Sequence, residues 1–310
     1  MTLVQLEYAL ALHRLKSFVK ASEACFVTQP TLSMQIQKLE EELGIILFDR
    51  KKKPIMTTAI GEEIIRQAQE VISNAKAIKE IVGHYRQNVS GELRLGIIPT
   101  VAPYLLPMFI PNLKKDMPNV QLQIEEKTTD QIISDLLADN IDLGILATPL
   151  NNPRITEYPL YKEAMLFYVS PKHSLYKKKE ITLSEVNKED LWLLNKGHCF
   201  RNQMINLCDQ FDHESLMGLA FESGSIETLI RIIDGHNGLT MIPESAIAHL
   251  NAVQIKNVRP VMGQIPGRQI SIVVSRTYLK KGLIAKLEET IKTALPKNLR
   301  KSEVEIQTPV

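Results

Sequence analysis

The segment that most constrains the fold of this chain is a helical pattern at residues 28–43, which follows helical patterns at residues 3–15 and 18–25. Apolar residues recur along it at steps of four, three and four, the spacing of one buried helix face: Leu32, Ile36, Leu39 and Leu43. Thr28 can cap the start of this helix, and Gly44 ends it. Two helices joined by a tight turn, the second polar on its outer face, predict a helix-turn-helix that places its second helix in the major groove of DNA.

A run of four consecutive cations follows these helices: Arg50, Lys51, Lys52 and Lys53. Short apolar stretches at residues 45–48 and 55–58 flank the run, and together they predict a two-stranded wing with a basic tip. Clustered cations favour contacts with phosphates or with the minor groove, and such binding weakens as salt rises. The same patterns also fit three short helices of any small bundle beside a solvated charge run, and the pattern alone leaves both interpretations open.

A long helix is predicted at residues 58–87, where apolar residues recur at alternating steps of four and three. This seam consists of Ile64, Ala68, Val71, Ala75, Ile78 and Val82. A single seam with no other apolar face requires a partner helix, and the simplest partner is the same helix of a second copy. The sequence therefore predicts a dimer, and packing of this helix on the C-terminal part of its own chain is the alternative.

From residue 91 onwards the pattern alternates between strands and helices, in the βαβ order that predicts parallel sheets covered by helices. The predicted strands are residues 92–98, 120–125, 142–147, 164–169, 191–194, 218–222, 239–242 and 269–275. The predicted helices are residues 104–115, 129–139, 199–210, 226–234, 245–250 and 281–294. The last strand returns to the first group, so we expect a two-lobed α/β domain that resembles periplasmic binding proteins. Ligands of such folds bind in the cleft between the lobes.

Composition excludes several other classes of protein. The 310 residues are 44% hydrophobic and 23% charged, which is ordinary for a globular chain of two or three domains. The formal net charge of +2 neither favours nor excludes a nucleic-acid partner. The first residues lack the pattern of a signal peptide, and no apolar stretch is long enough to span a membrane. We therefore expect a cytoplasmic protein without a membrane partner.

The three cysteines are Cys25, Cys199 and Cys208, and they form neither a disulfide framework nor a CxxC motif. The sequence also has no phosphate-binding glycine loop and no cluster with metal-ligand spacing. We therefore expect no metal and no cofactor.

Residues 17–61 resemble the DNA-binding segment of LysR-type transcription regulators. The resemblance is carried by Ser-Phe-x-x-Ala-Ser-Glu at residues 17–23, Gln-Pro-x-Leu-Ser at 29–33, Ile-x-x-Leu-Glu at 36–40, Leu-Gly at 43–44 and Leu-Phe-Asp-Arg at 47–50. It implies DNA contacts at Gln29, Pro30, Thr31, Ser33, Gln37 and Arg50. The wing is richer in lysine than is usual in the family, and we expect Lys51, Lys52 and Lys53 to bind DNA as well.

The same resemblance implies a division of the chain into three parts. These are a winged helix-turn-helix at residues 1–58, a dimerising linker helix at residues 59–88 and a sensor domain at residues 89–310. Within the sensor domain, we expect one lobe at about residues 89–163 and 268–300 and the other at about residues 164–267.

The most informative segment of the sensor region holds Cys199 and Cys208. We expect Cys199 at a junction between a strand and a helix, where the helix dipole and the nearby cation Arg201 favour the thiolate. A thiolate within reach of solvent is oxidised by peroxide to a sulfenic acid, which a second thiol converts to a disulfide. The alternative is that both cysteines are small buried apolar residues, which is the role we expect of Cys25.

The segment Gly-His-Cys-Phe-Arg-Asn-Gln at residues 197–203, followed by Cys208, resembles the sensing segment of the peroxide-responsive LysR-type regulators. The resemblance implies that Cys199 reacts with peroxide and that Cys208 resolves the product to a disulfide. It also implies a peroxide pocket made of His198, Thr100, Thr129, Arg201 and Arg268. The segment departs from the family at Asn202, where an acidic residue is usual.

Three functions compete at this point. The first is a transcription activator that senses hydrogen peroxide through Cys199 and Cys208 and thereby changes its oligomer geometry and promoter binding. The second is a LysR-type regulator that binds a small metabolite between the lobes. The third, a thiol peroxidase, leaves the DNA-binding segment unexplained, so we expect no enzyme. The expected partners are double-stranded DNA, a second copy in a homodimer or homotetramer, a thiol-reducing system and RNA polymerase.

Overall fold

The structure, a computed structural model, describes residues 1–85, 91–207, 224–276, 278, 281–300 and 304–309. The chain divides into two compact units, with residues 1–88 in the first and nearly all later residues in the second. In the part of the chain that the structure describes, no helix combines the length and the apolar character needed to cross a membrane.

The first unit is a winged helix-turn-helix. It comprises α1 (Leu3–Leu15), α2 (Phe18–Ala24), α3 (Gln29–Leu43), β1 (Phe48–Asp49), β2 (Met56–Thr57) and α4 (Ala59–Tyr85), with β1 and β2 antiparallel. The hydroxyl groups of Ser17 and Thr28 accept backbone N–H groups in the first turns of α2 and α3. Gly44 ends α3 at a φ of 69°, a left-handed conformation that glycine adopts without a steric penalty. The predicted helix-turn-helix and wing are confirmed.

Apolar side chains from the four helices and the wing of this unit meet in one core. The predicted inner face of α3 supplies Leu32, Ile36 and Leu39, none of which has exposed surface, and Leu43 packs at the margin. Because this stripe is buried, the opposite face of α3 points outward, and that face carries the predicted DNA contacts.

Helix α4 differs from the predicted seam. Three residues on its first four turns are buried in the core of the first unit, where α1 packs beside it: Ile65, Ala68 and Ile72. Of the predicted seam residues, Val71 is 42% exposed and Ile78 is 68% exposed. The expectation of a single apolar face is therefore wrong, because α4 has one face packed within its own unit and a second, exposed apolar stripe. The side chain of Val82 and residues 86 and 87 lie outside what the structure describes.

The second unit begins with three parallel strands, β3 (Gly91–Ile97), β4 (Val120–Glu126) and β5 (Leu143–Thr148). They alternate with α5 (Ala102–Asp116) and α6 (Thr129–Leu137), so the predicted βαβ order is confirmed. Gly144 allows α6 to approach the sheet closely, because a Cβ atom there would lie 2.4 Å from the side chain of Ile132. This close packing fixes the start of α6, where Thr129 lies.

Two long antiparallel strands, β6 (Ile155–Val169) and β9 (Pro266–Ser275), continue the sheet in the order β4-β3-β5-β9-β6. Residues 155–164 of β6 pair with β9, whereas residues 165–169 pair with β7 (Leu239–Pro243), and β8 (Val258–Arg259) adds a short edge. We name the part built on β3, β4 and β5 the first lobe, and the part built on β7, β8 and the end of β6 the second lobe. The predicted strand at residues 164–169 is thus only the end of β6, and the sheet is mixed, not parallel.

The second lobe packs α7 (Cys199–Leu207) and α8 (Ile226–Gly235) around a large apolar core. The predicted strand at residues 191–194 is wrong, since the described chain has isolated bridges there, at Leu191 (to Leu239) and at Leu194, and no continuous strand. The predicted helix at residues 245–250 is instead a 3₁₀ turn at Glu244–His249. Further 3₁₀ turns lie at Ser174–Lys177, Leu183–Glu185, Lys188–Asp190 and Gln254–Asn257. The predicted strand at residues 218–222 and the predicted helix end at residues 208–210 lie outside the described residues.

The C-terminal part of the chain returns to the first lobe with α9 (Lys281–Ala294), as predicted. Two elements beyond it were not predicted, α10 (Lys297–Arg300) and β10 (Glu305–Ile306). Strand β10 pairs in parallel with the start of β9. A winged helix-turn-helix with a long helix, followed by a two-lobed α/β unit, confirms the predicted fold class.

Candidate functional site

Cys199 is the first residue of α7 and is only 6% exposed. The turn before it contains Gly197 at a φ of 96°, a conformation that favours glycine. The carbonyl of His198 accepts the N–H of Arg201 at 3.0 Å, so the helix begins directly after His198. The thiol therefore lies at a helix N-terminus, as predicted, but inside the protein and not at its surface.

Burial raises the pKa of the Cys199 thiol above its usual range. The Thr129 hydroxyl, the positive charge of Arg268 and the backbone N–H groups at the start of α7 lower this pKa, but burial prevails. The expectation of a thiolate within reach of solvent is therefore wrong, because the local sequence does not reveal how deeply the group is buried. The resting group is a protonated thiol.

The charge that acts on this thiol comes from a distant strand and not from the sequence neighbour Arg201. The Arg201 guanidinium donates a hydrogen bond to the carbonyl of Leu194 at 2.8 Å, on the segment that leads into α7. Arg268, a predicted pocket residue on β9, is the cation that lowers the pKa of Cys199.

Arg268 has no exposed surface and is fixed by groups on several elements. Its guanidinium pairs with Glu163, directly opposite on β6, with Nε and Nη2 each 2.9 Å from Oε1. It also donates hydrogen bonds to the hydroxyl of Thr100 at 2.8 Å and to the carbonyl of Thr100 at 2.9 Å. Its guanidinium carbon lies over the Phe200 ring, 4.8 Å from the ring centre. The guanidinium of Arg268, on β9, therefore contacts the turn after β3, the other long strand β6 and the first turn of α7.

Two threonines of the predicted pocket are buried beside these groups. Thr100 lies in the turn after β3 and is 2% exposed, and Thr129 begins α6 and is 7% exposed. The Thr129 hydroxyl lies close enough to the Cys199 thiol to lower its pKa, but it forms no hydrogen bond of standard geometry with any described group. A buried polar group without a partner costs about 1–3 kcal/mol and is rare. This hydroxyl is therefore available to a small polar molecule next to the thiol.

His198 is buried too, and burial lowers the pKa of its imidazole below the usual range. The ring is therefore neutral at pH 7, with one nitrogen that can accept a proton. It adds no positive charge to the surroundings of Cys199, so Arg268 is the cation that favours the thiolate there.

Sequence reasoning missed Glu163 and Phe200. Glu163 has no exposed surface, and its second carboxylate oxygen accepts the N–H of Ser245 at 3.1 Å. Glu163 could have been found from its position immediately before the apolar run at residues 164–169. A charged side chain in a buried strand requires a partner of opposite charge, which indicates a buried ion pair there. Phe200 gave no signal beyond its position next to Cys199.

The other cysteines contribute less to the described site. Cys208 lies outside the described residues, so its pairing with Cys199 stays a prediction. Cys25 is half-buried at the end of α2, in the first unit, and burial raises the pKa of its thiol. Among the described residues, no group of three or more His, Cys, Asp or Glu side chains is placed to hold a metal ion.

The outward face of α3 presents the residues predicted to contact DNA. Gln29, Pro30 and Gln37 are exposed, and Thr31 and Ser33 are half-buried. Local hydrogen bonds orient two of these side chains, at 2.8 Å from Gln37 to Glu41 and at 2.8 Å between the hydroxyls of Thr31 and Thr28.

The wing tip exposes Lys51, Lys52 and Lys53. Arg50 differs from these lysines, because its guanidinium donates to Glu40 of α3 at 2.6 Å. Glu40 also accepts the backbone N–H groups of Leu47 and Phe48, at 2.8 and 3.1 Å. This arrangement ties the base of the wing to α3 and leaves the three lysines as its outermost charges.

Two family models match the chain. Residues 3–62 match the bacterial regulatory helix-turn-helix protein of the LysR family, and residues 86–296 match the LysR substrate binding domain. The hydrogen peroxide-inducible genes activator of Haemophilus influenzae is 35% identical over 275 residues, 88% of this chain and 90% of the relative.

Two solved structures are also similar. A full-length OxyR variant from Pseudomonas aeruginosa has a TM-score of 0.82 at 31% identity, over 98% of this chain and 99% of that one. A hydrogen peroxide-bound OxyR mutant from Corynebacterium glutamicum has a TM-score of 0.61 at 25% identity, over 94% of this chain and 92% of that one.

Proposed function

We propose that this chain is a DNA-binding transcription regulator that senses hydrogen peroxide at Cys199. The chain belongs to the LysR family of bacterial regulatory helix-turn-helix proteins. Its similarity to the hydrogen peroxide-inducible genes activators and to OxyR supports the choice of signal. The chemistry of the site supports it independently.

The observation that carries this proposal is a buried thiol beside an unpartnered buried hydroxyl and a fixed guanidinium. The Thr129 hydroxyl can hold one oxygen of hydrogen peroxide, since each peroxide oxygen both donates and accepts hydrogen bonds. The Arg268 charge stabilises the thiolate as it forms. Burial of Cys199 restricts access to small molecules, and hydrogen peroxide is among the smallest oxidants.

The oxidation proceeds in two steps. The Cys199 thiol gives its proton to the neutral His198, and the thiolate sulfur attacks one peroxide oxygen. The O–O bond breaks, and the departing hydroxide takes the proton back from His198 and leaves as water. The product is a sulfenic acid at Cys199. The Cys208 thiol then attacks the sulfenic sulfur, a second water leaves, and a disulfide forms.

Disulfide formation is incompatible with α7 as it stands. The ends of α7, Cys199 and Leu207, are eight helical steps and hence about 12 Å apart, and Cys208 is the next residue, one Cα–Cα step of about 3.8 Å further along the chain. The Cα atoms of a disulfide lie about 4.4–6.8 Å apart, which this spacing does not allow while α7 is intact. Oxidation therefore unwinds at least part of α7 and repacks the second lobe around it. In a dimer or tetramer this repacking changes the spacing of the paired α3 helices, and hence the half-sites that they span.

The other parts of the chain complete the regulator. Residues 1–58 bind double-stranded promoter DNA through the outward face of α3 and the wing lysines, residues 59–88 join two copies, and residues 89–310 form the sensor. A protein that binds the bacterial chromosome works in the cytoplasm, where a thiol-reducing system resets the disulfide. RNA polymerase is the partner through which promoter binding activates transcription.

A second candidate function is the binding of a small polar metabolite between the lobes. Tyr104 of the first lobe contacts the His249 ring of the second, with the ring centres 5.5 Å apart. Among the described residues, three buried polar atoms here form no hydrogen bond of standard geometry: Tyr104 Oη on α5, Glu227 Oε1 on α8 and Ser245 Oγ on the 3₁₀ turn that contains His249. Burial and the neighbouring Glu227 raise the pKa of Tyr104, so these two side chains lie close together. A metabolite that changes DNA binding by a Cys199→Ser variant would favour this function.

The test is the thiol state of the reduced full-length protein after titration with substoichiometric hydrogen peroxide. Intact mass and non-reducing peptide mapping identify the products. We expect a disulfide between Cys199 and Cys208, its absence in a Cys199→Ser variant and its persistence in a Cys25→Ser variant, which is the matched control. Footprinting of DNA in both redox states then links the disulfide to regulation.

Two results would contradict the proposal. Thiols that stay unreactive at modest peroxide excess would remove Cys199 as the sensor. Sustained peroxide turnover without any change in DNA binding would make the protein a peroxidase, whereas we expect one peroxide consumed per disulfide until a separate reductant acts.

A further inference from the structure

The C-terminal segment, residues 304–309, packs beside the redox site. Strand β10 pairs with Pro266 and Gly267, the two residues of β9 directly before Arg268. The N–H of Glu305 donates to the carbonyl of Ile265 at 3.0 Å, and the N–H of Gln307 donates to the carbonyl of Gly267 at 2.8 Å.

Glycine at position 267 makes this packing possible. A Cβ atom there would lie 2.3 Å from the side chain of Val304, so any other residue would push the segment away from β9. Pro309, near the end of the segment, is buried as well. The segment is therefore fitted to this face of the protein.

The C-terminal segment is also hydrogen-bonded to α7. Gln203, in the middle of that helix, has no exposed surface and donates its Nε2–H to the carbonyl of Gln307 at 2.8 Å. The Gln203 Oε1 atom has no hydrogen-bonding partner in the described chain, so this one bond accounts for the hydrogen bonding of the amide there. Since Gln203 lies one turn after Cys199, the bond ties the reactive end of α7 to the segment that flanks Arg268.

We propose that Gln203 is a positioning residue for Cys199, and that the C-terminal segment is a latch that stabilises the reduced form through it. This inference rests on the proposed function, because it concerns the reduced and oxidised states of the same cysteine. A disulfide to Cys208 unwinds α7 and carries Gln203 away from Gln307. The latch is therefore made in the reduced state and broken in the oxidised state.

Thermodynamic linkage gives the direction of the effect. A contact made only in the reduced state shifts the equilibrium towards that state, and its loss favours the disulfide. The C-terminal segment thus sets how oxidising the surroundings must be before the sensor responds, although it lies far from Cys199 in the sequence.

The experiment compares the full chain with a Gln203→Met variant, which keeps the side-chain length and helix propensity but removes the donor. An Asn206→Ser variant, changed at an exposed position of the same helix without a change in helix propensity, is the matched control. A chain that ends at residue 303 removes the whole latch. The readout is the fraction of disulfide at equilibrium in glutathione buffers of known potential, measured by thiol trapping and mass.

We expect Gln203→Met to raise the equilibrium constant for disulfide formation about threefold to tenfold, the range of one net hydrogen bond. At 29.6 mV per tenfold for a two-electron couple, the potential becomes about 15–30 mV more negative. Truncation at residue 303 shifts it at least as far, and Gln203→Met adds no further shift in the truncated chain. The Asn206→Ser control leaves the potential unchanged.

A potential in Gln203→Met and in the truncated chain that equals the wild-type value would overturn the inference while leaving peroxide sensing intact. Failure of the wild-type protein to form any disulfide would instead overturn the proposed function. If Gln203→Met does not fold, as judged by circular dichroism, Gln307→Pro replaces it, because proline removes the N–H that binds Gly267. An unchanged potential in that variant has the same meaning.

Discussion

Replacement of Arg268 by methionine tests whether a buried ion pair holds the redox site together. Arg268 and Glu163 have no exposed surface, so each charge depends on the other for compensation. In Arg268→Met the carboxylate of Glu163 stays in the interior with only the N–H of Ser245 as a described donor. Both oxygens of Thr100 also lose the donors that the guanidinium supplied.

The size of the effect follows from these contacts. Removing one partner of a buried ion pair lowers the unfolding free energy by about 3–5 kcal/mol, because the remaining charge is uncompensated. The double variant Arg268→Met with Glu163→Gln removes both charges and keeps a polar group for the Ser245 N–H. We therefore expect it to lose only about 1–2 kcal/mol, the value of the missing hydrogen bonds. The two effects are strongly non-additive.

Urea unfolding of the full chain measures this directly. Trp192 is the only tryptophan of the chain, and it lies in the second lobe, so its fluorescence reports the unit that contains the pair. A Lys286→Met variant is the matched control, because Lys286 pairs with Glu289 on the exposed surface of α9. We expect no measurable change in the midpoint for that variant, as is usual for exposed pairs.

The reasoning fails if Arg268→Met alone lowers the unfolding free energy by less than about 1 kcal/mol, since a buried carboxylate that has lost its partner is expected to lower it by about 3–5 kcal/mol. It also fails if the double variant is as unstable as Arg268→Met. In that case the carboxylate would not be the source of the cost, and packing over Phe200 would be.

Three further predictions follow from the site and the wing. Because the pKa of Cys199 is raised, its oxidation rate in stopped-flow assays should climb steadily with pH through the neutral range; a plateau near pH 6 would contradict this. Because the pKa of His198 is lowered in the folded protein, this residue makes the fold more stable above the unfolded-chain histidine pKa of about 6.5 than below it. Acidification to pH 5 should therefore destabilise the wild type more than the His198→Gln variant in urea unfolding. Equal losses of stability would contradict this. Alanine at residues 51–53 should reduce the salt slope of duplex-DNA binding, measured by anisotropy, by up to about 3; an unchanged slope would remove the wing from the phosphate contacts.

Much of the fold could be predicted where local signals agree. Helix α1 begins and ends where the periodicity placed it, and α3 has its predicted cap, end and buried face. Strand β6 was recognised only at its end, because its first half contains Pro159 and interspersed charges, and an irregular register at Pro159 accommodates the proline. The pairing of that half with β9 depends on a distant strand, which no local pattern reveals.

The candidate site was only partly predictable for the same physical reason. Motif resemblance selected Thr100, Thr129 and His198, and the structure buries all three. Reasoning from sequence neighbours selected Arg201 as the cation, whereas the charge that acts on Cys199 comes from β9. Desolvation and long-range ion pairs depend on how the lobes are packed, and a local pattern of charges does not encode them.

The raised pKa of the Cys199 thiol suits a sensor, whereas in a catalyst it would slow the reaction. The thiolate is the nucleophile, so a protonated thiol reacts slowly with any oxidant that the pocket does not hold. Selectivity for peroxide then depends on groups that act only when peroxide is bound, such as the Thr129 hydroxyl and the Arg268 charge. In the proposed mechanism each oxidation also unwinds α7 and breaks the bond from Gln203 to the C-terminal segment. An enzyme would have to rebuild both in every cycle, whereas a switch requires them to stay changed until a reductant acts.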